Sequence, residues 1–353
     1  MFIGTLDNTS VGKDNNRKVG SRNTTIEFIR FFAAVGVVMI HCSFPGIVGK
    51  VIYGLARFGV PFFLIVSGYF AYNENYEKLC KYLSKRIIRV LKIWCVTFIG
   101  YFILLFILNG CSKDWIANNF LVDYDRILSF LLLQNTWLGF SWYLMAVVMC
   151  YLVTFFIGKH QLWLKSAILI PFLLAVNLFV GEVLPFVRGM DSPWYWCSNF
   201  WILALPFYML GYYIRVKEDK AIFYVSKENV KILLLVCFAV NMAERALTHA
   251  SQLFFSNILM VVVLFVFSLR YPNIFEARTG MVGKIYTFII YMGMNSIYIY
   301  LLHPMFKQFV FKYMSNMSEK MFGWLSAVVV LGGTLILTYF IGIIKSRNRE
   351  KVY

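Results

Sequence analysis

Ile26-Glu27-Phe28-Ile29-Arg30-Phe31-Phe32-Ala33-Ala34-Val35-Gly36-Val37-Val38-Met39-Ile40-His41 decides how this chain is read. It is apolar apart from three ionisable residues. His41 follows Arg30 by eleven positions. At about 100° per residue that is three turns plus roughly 20°, so both side chains leave one helix face. At about 1.5 Å per residue they stand roughly 16 Å apart along the axis. With its flanks the run is long enough to cross a bilayer. An ionisable residue inside a span costs about 2.5–3.5 kcal/mol and usually faces a cavity or a partner. A cation and an imidazole in line on one face therefore point to a polar path through a membrane protein. Glu27, three residues before Arg30, shares that face and can pair with it. Position alone also allows plainer roles. Arg30 could anchor at the headgroups by its long stem, and His41 could be an interfacial histidine.

The rest of the chain fits this reading. It has 353 residues, 60% of them hydrophobic, 19% aromatic and only 14% charged. The mean hydropathy of +0.69 is too high for a soluble globule. Apolar runs predict ten spans, at about 26–43, 57–72, 92–109, 142–158, 164–181, 198–214, 230–247, 253–269, 285–302 and 322–344. The expected fold is an all-α membrane protein of about ten transmembrane helices. Residues 1–22 read as a polar arm, 23–345 as one membrane domain and 346–353 as a basic tail. No cleavage site follows the first apolar run, so a removed signal peptide is not expected.

The net charge of +17 does not point to nucleic acid, because the basic residues sit between apolar runs. Placing the N-terminus in the cytoplasm puts 24 Lys and Arg on inside segments and 8 outside, with Arg30 and Arg245 within spans. That bias predicts both termini cytoplasmic. Tyr76–Val90 carries Lys78, Lys81, Lys85, Arg86 and Arg89 among apolar residues and predicts a basic amphipathic helix on the membrane surface.

The seven cysteines show no metal-type spacing, and no metal site is expected. Cys42, Cys111 and Cys197 fall toward the outside, where one disulfide between them is open. Glu244 and Arg245 are adjacent on a helix and so are expected to have separate partners. The terminal-span histidines His160 and His249 read as structural. Outer segments hold Trp115, Trp137, Trp142, Trp194, Tyr195 and Trp196, interleaved with Asp114, Asp123, Asp125, Glu182, Arg188 and Asp191. This is either an interfacial aromatic belt or a platform for sugar rings.

The second apolar run is Arg57-Phe58-Gly59-Val60-Pro61-Phe62-Phe63-Leu64-Ile65-Val66-Ser67-Gly68-Tyr69. Its small residues permit close helix packing. Together the two runs resemble the acyltransferase-3 family of integral membrane acyltransferases. Glu27, Arg30 and His41 match that family's Asp-x-x-Arg and following His, with Glu in place of Asp. Gly59, Val60, Phe62, Phe63, Ser67, Gly68 and Tyr69 match its second helix, and Arg86 and Arg89 its basic Arg-x-x-Arg segment. Ser141-Trp142-Tyr143-Leu144 resembles the opening of a later helix. Asn295-Ser296-Ile297-Tyr298-Ile299-Tyr300-Leu301-Leu302-His303-Pro304 resembles a segment near the family's C-terminus. The resemblance covers about 22–345 and does not include the family's fused hydrolase-like domain.

The resemblance implies a membrane acyltransferase with cytoplasmic acyl-CoA, acetyl-CoA above all, as donor substrate and no permanently bound cofactor. Arg30, with Arg86 and Arg89, would attract the phosphates of coenzyme A. The pantetheine arm has about the length of the Arg30–His41 separation, so the thioester would reach His41. His41 and Glu27 would be catalytic, His41 as general base or as transient acyl carrier. Ser67, Trp142, Tyr300 and His303 are candidate contacts to substrate. The expected acceptor is a hydroxyl of a surface carbohydrate or glycolipid, the expected partners are that acceptor and membrane lipid, and the expected location is the cell membrane. The alternatives are a transporter or flippase with Arg30 and His41 lining a solute path, and a glycan polymerase or structural membrane partner.

Overall fold

The structure is a computed structural model, and it describes residues 22–120, 124–133, 139–218, 226–247, 251–275, 279–314 and 316–350. The expected N-terminal arm up to residue 21, Asp123, Trp137, His249 and the tail's last three residues lie outside the described residues. Among the described residues all regular structure is helical. Six helical stretches are long and apolar enough to cross a membrane: Thr24–His41, Gly46–Ala71, Tyr76–Leu108, Gly139–Lys159, Leu169–Arg188 and Met321–Arg347. Gly280–Met294 and Ser296–Met314 make a seventh if that bent pair counts as one span. Helices also occupy the remaining expected positions. Phe200–Val216 and Phe255–Arg270 are apolar but shorter, and Lys227–Leu247 carries charges at its two ends.

Four local outcomes differ from the sequence expectation. The second span begins earlier, because α2 (Gly46–Ala56) precedes α3 (Gly59–Ala71). The expected surface helix at Tyr76–Val90 is not separate. It runs into the next span as α4 (Tyr76–Leu108), since nothing near Val90 breaks the helix and Asn75 caps its start by accepting from the Lys78 amide at 3.0 Å. The expected straight span at 285–302 breaks, with a 77° bend at Asn295. The Asn295 amide donates to the Tyr291 carbonyl at 2.9 Å, a local bond that competes with helix continuation. The last helix continues to Glu350, through most of the expected tail.

The chain divides into two compact units. The first comprises residues 1–59, 219–236 and 260–353. Its centre is α1 (Thr24–His41), which packs on α2, Gly280–Met294, Ser296–Met314 and Glu319–Glu350. Asn23 caps α1 by accepting from the Ile26 amide at 2.9 Å. The Thr25 hydroxyl donates to the Tyr271 carbonyl at 2.6 Å, and the Asn23 side chain to the Ser268 carbonyl at 2.8 Å. Phe28 stacks on Phe275 with ring centres 4.0 Å apart. Gly293 lies so close to α1 that a Cβ there would overlap the carbonyl oxygen of Glu27.

The second unit comprises residues 60–218 and 237–259. Within it α4 packs on Trp142–Lys159, and Leu205–Val216 packs on Leu169–Leu178. Gly68 and Gly211 form a reciprocal contact: a Cβ on Gly68 would overlap the Tyr208 carbonyl, and one on Gly211 the Ile65 carbonyl. The small residues of the second run thus let two backbones touch, as their spacing suggested.

Candidate active site

In the first unit, α1 is one uninterrupted helix from Thr24 to His41, so the predicted alignment of Arg30 and His41 holds. Near its start Glu27 and Arg30 are almost fully buried, 4% and 7% exposed. The Arg30 guanidinium donates to both carboxylate oxygens of Glu27, at 3.0 and 3.3 Å. Arg22 donates through Nε to the same carboxylate at 3.1 Å. Glu27 therefore holds two guanidinium groups, and the Arg30 Nε remains buried without a hydrogen-bond partner. The pairing of Glu27 with Arg30 was legible from their spacing. Arg22 was not, because it precedes the helix and its reach depends on how the chain enters.

At the other end of α1, the His41 side chain is exposed and that of His303 is buried, 1% exposed. The ring centres are 5.2 Å apart and the planes lie within 23° of each other. The His303 Nδ1 lies 3.3 Å from the Ile299 carbonyl, and its Nε2 is buried without a partner. Tyr300 is buried, its ring 6.2 Å from His303. So of the four candidate substrate contacts, His303 meets the end of α1, and Tyr300 lies beside it on the same helix. Lys307, one turn beyond His303, and Arg57 are the cations that act on His41. Arg57 lies over the Tyr53 ring, its guanidinium carbon 4.2 Å from the centroid.

The remaining candidates belong to the second unit. Arg86 is buried and lies over the Tyr82 ring at 4.9 Å, while Arg89 is exposed. The Ser67 hydroxyl donates to the Phe63 carbonyl of its own helix at 2.8 Å. Trp142 is buried at the start of its helix, set edge-on to Tyr143. Tyr69 belongs to a network the motif did not reveal. Its hydroxyl donates to Glu218 at 2.7 Å and accepts from Arg215 at 2.9 Å, and Arg215 pairs with Glu218. Glu244 accepts from the backbone and hydroxyl of Ser256. None of the seven cysteines, Cys42, Cys111 and Cys197 included, is in a disulfide.

A buried guanidinium and an accessible imidazole, set in line along an apolar helix, suit a donor with anionic groups at one end and a reactive carbonyl at the other. A family model described as an acyltransferase domain, of the acyltransferase-3 type, matches residues 23–343. The chain belongs to the acyltransferase-3 family and is a multi-pass membrane acyltransferase. That membership sets aside the transporter and structural readings. No curated protein and no solved structure matches the chain.

Proposed function

We propose that this protein moves an acetyl or other short acyl group from cytoplasmic acyl-CoA to a hydroxyl of a surface carbohydrate or lipid-linked glycan, working in the cell membrane with both termini cytoplasmic. The observation that carries the reading is the pair of ends of α1: a buried guanidinium with an unused Nε at one, an exposed imidazole at the other. Their separation, roughly 16 Å at helical rise, suits an extended pantetheine arm. Arg30 binds donor phosphate through its remaining donors while Glu27 holds it in place. Arg86 and Arg89 are proposed for the same donor on the sequence motif.

His41 acts as general base. The acceptor hydroxyl oxygen attacks the thioester carbonyl carbon as its proton passes to His41. The C–S bond breaks, coenzyme A leaves as thiolate, and the thiolate takes the proton from the His41 imidazolium. Outer aromatic residues such as Trp115, Trp194 and Trp196 offer faces for sugar rings.

The test is coenzyme A release from acetyl-CoA by the protein in lipid nanodiscs. His41→Ala should abolish release while the protein stays folded and inserted. Full release by that variant would end the reading.

A further inference from the structure

The His303 ring is held by its own helix. Pro304 has no amide N–H and cannot bond the Tyr300 carbonyl, as an ordinary residue at that position of a helix would. The His303 Nδ1 lies 3.3 Å from the Ile299 carbonyl of the same helix. A carbonyl only accepts, so Nδ1 carries the ring proton, and in the neutral ring Nε2 carries a lone pair. That lone pair is buried and unpartnered in a residue 1% exposed, a costly state for a polar atom. The ring that lies against it is His41, with centres 5.2 Å apart and planes within 23°. The rings are stacked and not bonded as they stand, and an in-plane N–H···N bond of about 2.9–3.0 Å would leave their centres at roughly the same separation once the His41 ring has turned, since two ring radii add to the bond.

We propose that His303 is a positioning residue for His41: its fixed Nε2 lone pair accepts the His41 ring N–H, leaving the other His41 nitrogen as the one that takes the acceptor's proton. The proposed bond forms when the His41 ring turns about its own side-chain bonds. The tautomer of a working histidine is set by the hydrogen bond its other nitrogen makes. Here the partner is neutral. That suits surroundings in which the nearby charges, Lys307 and Arg57, are both positive and the nearby Cys42 is a free thiol. The inference rests on the reading of His41 as base.

Two measurements on the whole protein in nanodiscs test it. The first needs no substrate: carbethoxylation of His41 by diethyl pyrocarbonate, read by mass spectrometry. His303→Phe, which fills the space but offers no lone pair, should slow modification of His41 several-fold. His303→Gln, which keeps an acceptor oxygen near the Nε2 position, should restore much of the rate. Equal rates in wild type, Phe and Gln variants would overturn the proposal.

The second is turnover with acetyl-CoA. His303→Phe should lower kcat about ten- to a hundredfold with an unchanged KM for acetyl-CoA. A raised KM with unchanged kcat would show that His303 acts independently of His41. Failure of the acyltransferase reading itself looks different, since His41→Ala would then leave turnover intact whatever stands at position 303.

Discussion

The Arg30 guanidinium lies 3.0 Å from the Glu27 carboxylate, three residues earlier on α1, with both groups almost fully buried. Breaking a buried ion pair by removing one partner leaves an uncompensated charge and costs about 3–5 kcal/mol. Glu27→Gln should therefore lower the thermal unfolding temperature in detergent markedly. It strips the counter-charge from Arg22 as well as Arg30. Glu27→Asp keeps the charge on a shorter stem and should cost less. A Gln variant as stable as wild type would mean the pair contributes nothing net.

Arg30→Ala removes the group proposed to bind donor phosphate. A charge-assisted hydrogen bond contributes about 1.5–3 kcal/mol, so acetyl-CoA affinity should fall roughly ten- to a hundredfold. Arg30→Lys keeps the charge but not the planar fork, and should fall between the two. The measurement is acetyl-CoA binding by calorimetry on protein whose folding has been checked by size exclusion. Unchanged affinity in the Ala variant would refute the phosphate role.

Gly293 meets the carbonyl of Glu27, and Gly68 and Gly211 meet backbone on each other's helices. Gly293→Val should force α1 away from Gly280–Met294 and destabilise by about 1–3 kcal/mol, as overpacking does. It should also lower activity, because the displaced segment carries Glu27 and Arg30. Gly332, which meets nothing within 4 Å, is the control: Gly332→Ala should be neutral or stabilising, since alanine favours a helix interior. Thermal unfolding and turnover of the two variants, side by side, check this.

Cys111 is exposed beyond the end of α4, while Cys42, Cys150, Cys197 and Cys237 are buried. With both termini cytoplasmic, Cys111 faces outside. A membrane-impermeant maleimide added to intact cells should label it, and Cys111→Ser should abolish that labelling. Labelling only after the cells are opened would reverse the orientation proposed here.

The all-helical membrane architecture was legible because apolar length and period are local properties. So was the Glu27–Arg30 pair, since i and i+3 on a helix meet whatever surrounds them. Helix ends and bends were harder. Nothing in the apolar run at 285–302 weighs Asn295 against the residues around it, yet its side-chain bond to Tyr291 accompanies a 77° bend. The junction at Val90 went the other way, because a change from amphipathic to wholly apolar composition does not interrupt the backbone bonds of a helix.

By itself the sequence determined that this is an apolar helical chain, that Arg30 and His41 share one face of its first helix, and that its motifs are those of acyltransferase-3 proteins. Helical periodicity and composition act over a few residues, and the linear chain contains them. Only the tertiary structure brought His303 against His41 and set Gly293 on the carbonyl of Glu27. Those contacts join parts of the chain whose meeting depends on helix packing, on a bend at Asn295 and on two backbones that touch only because Gly293 has no side chain.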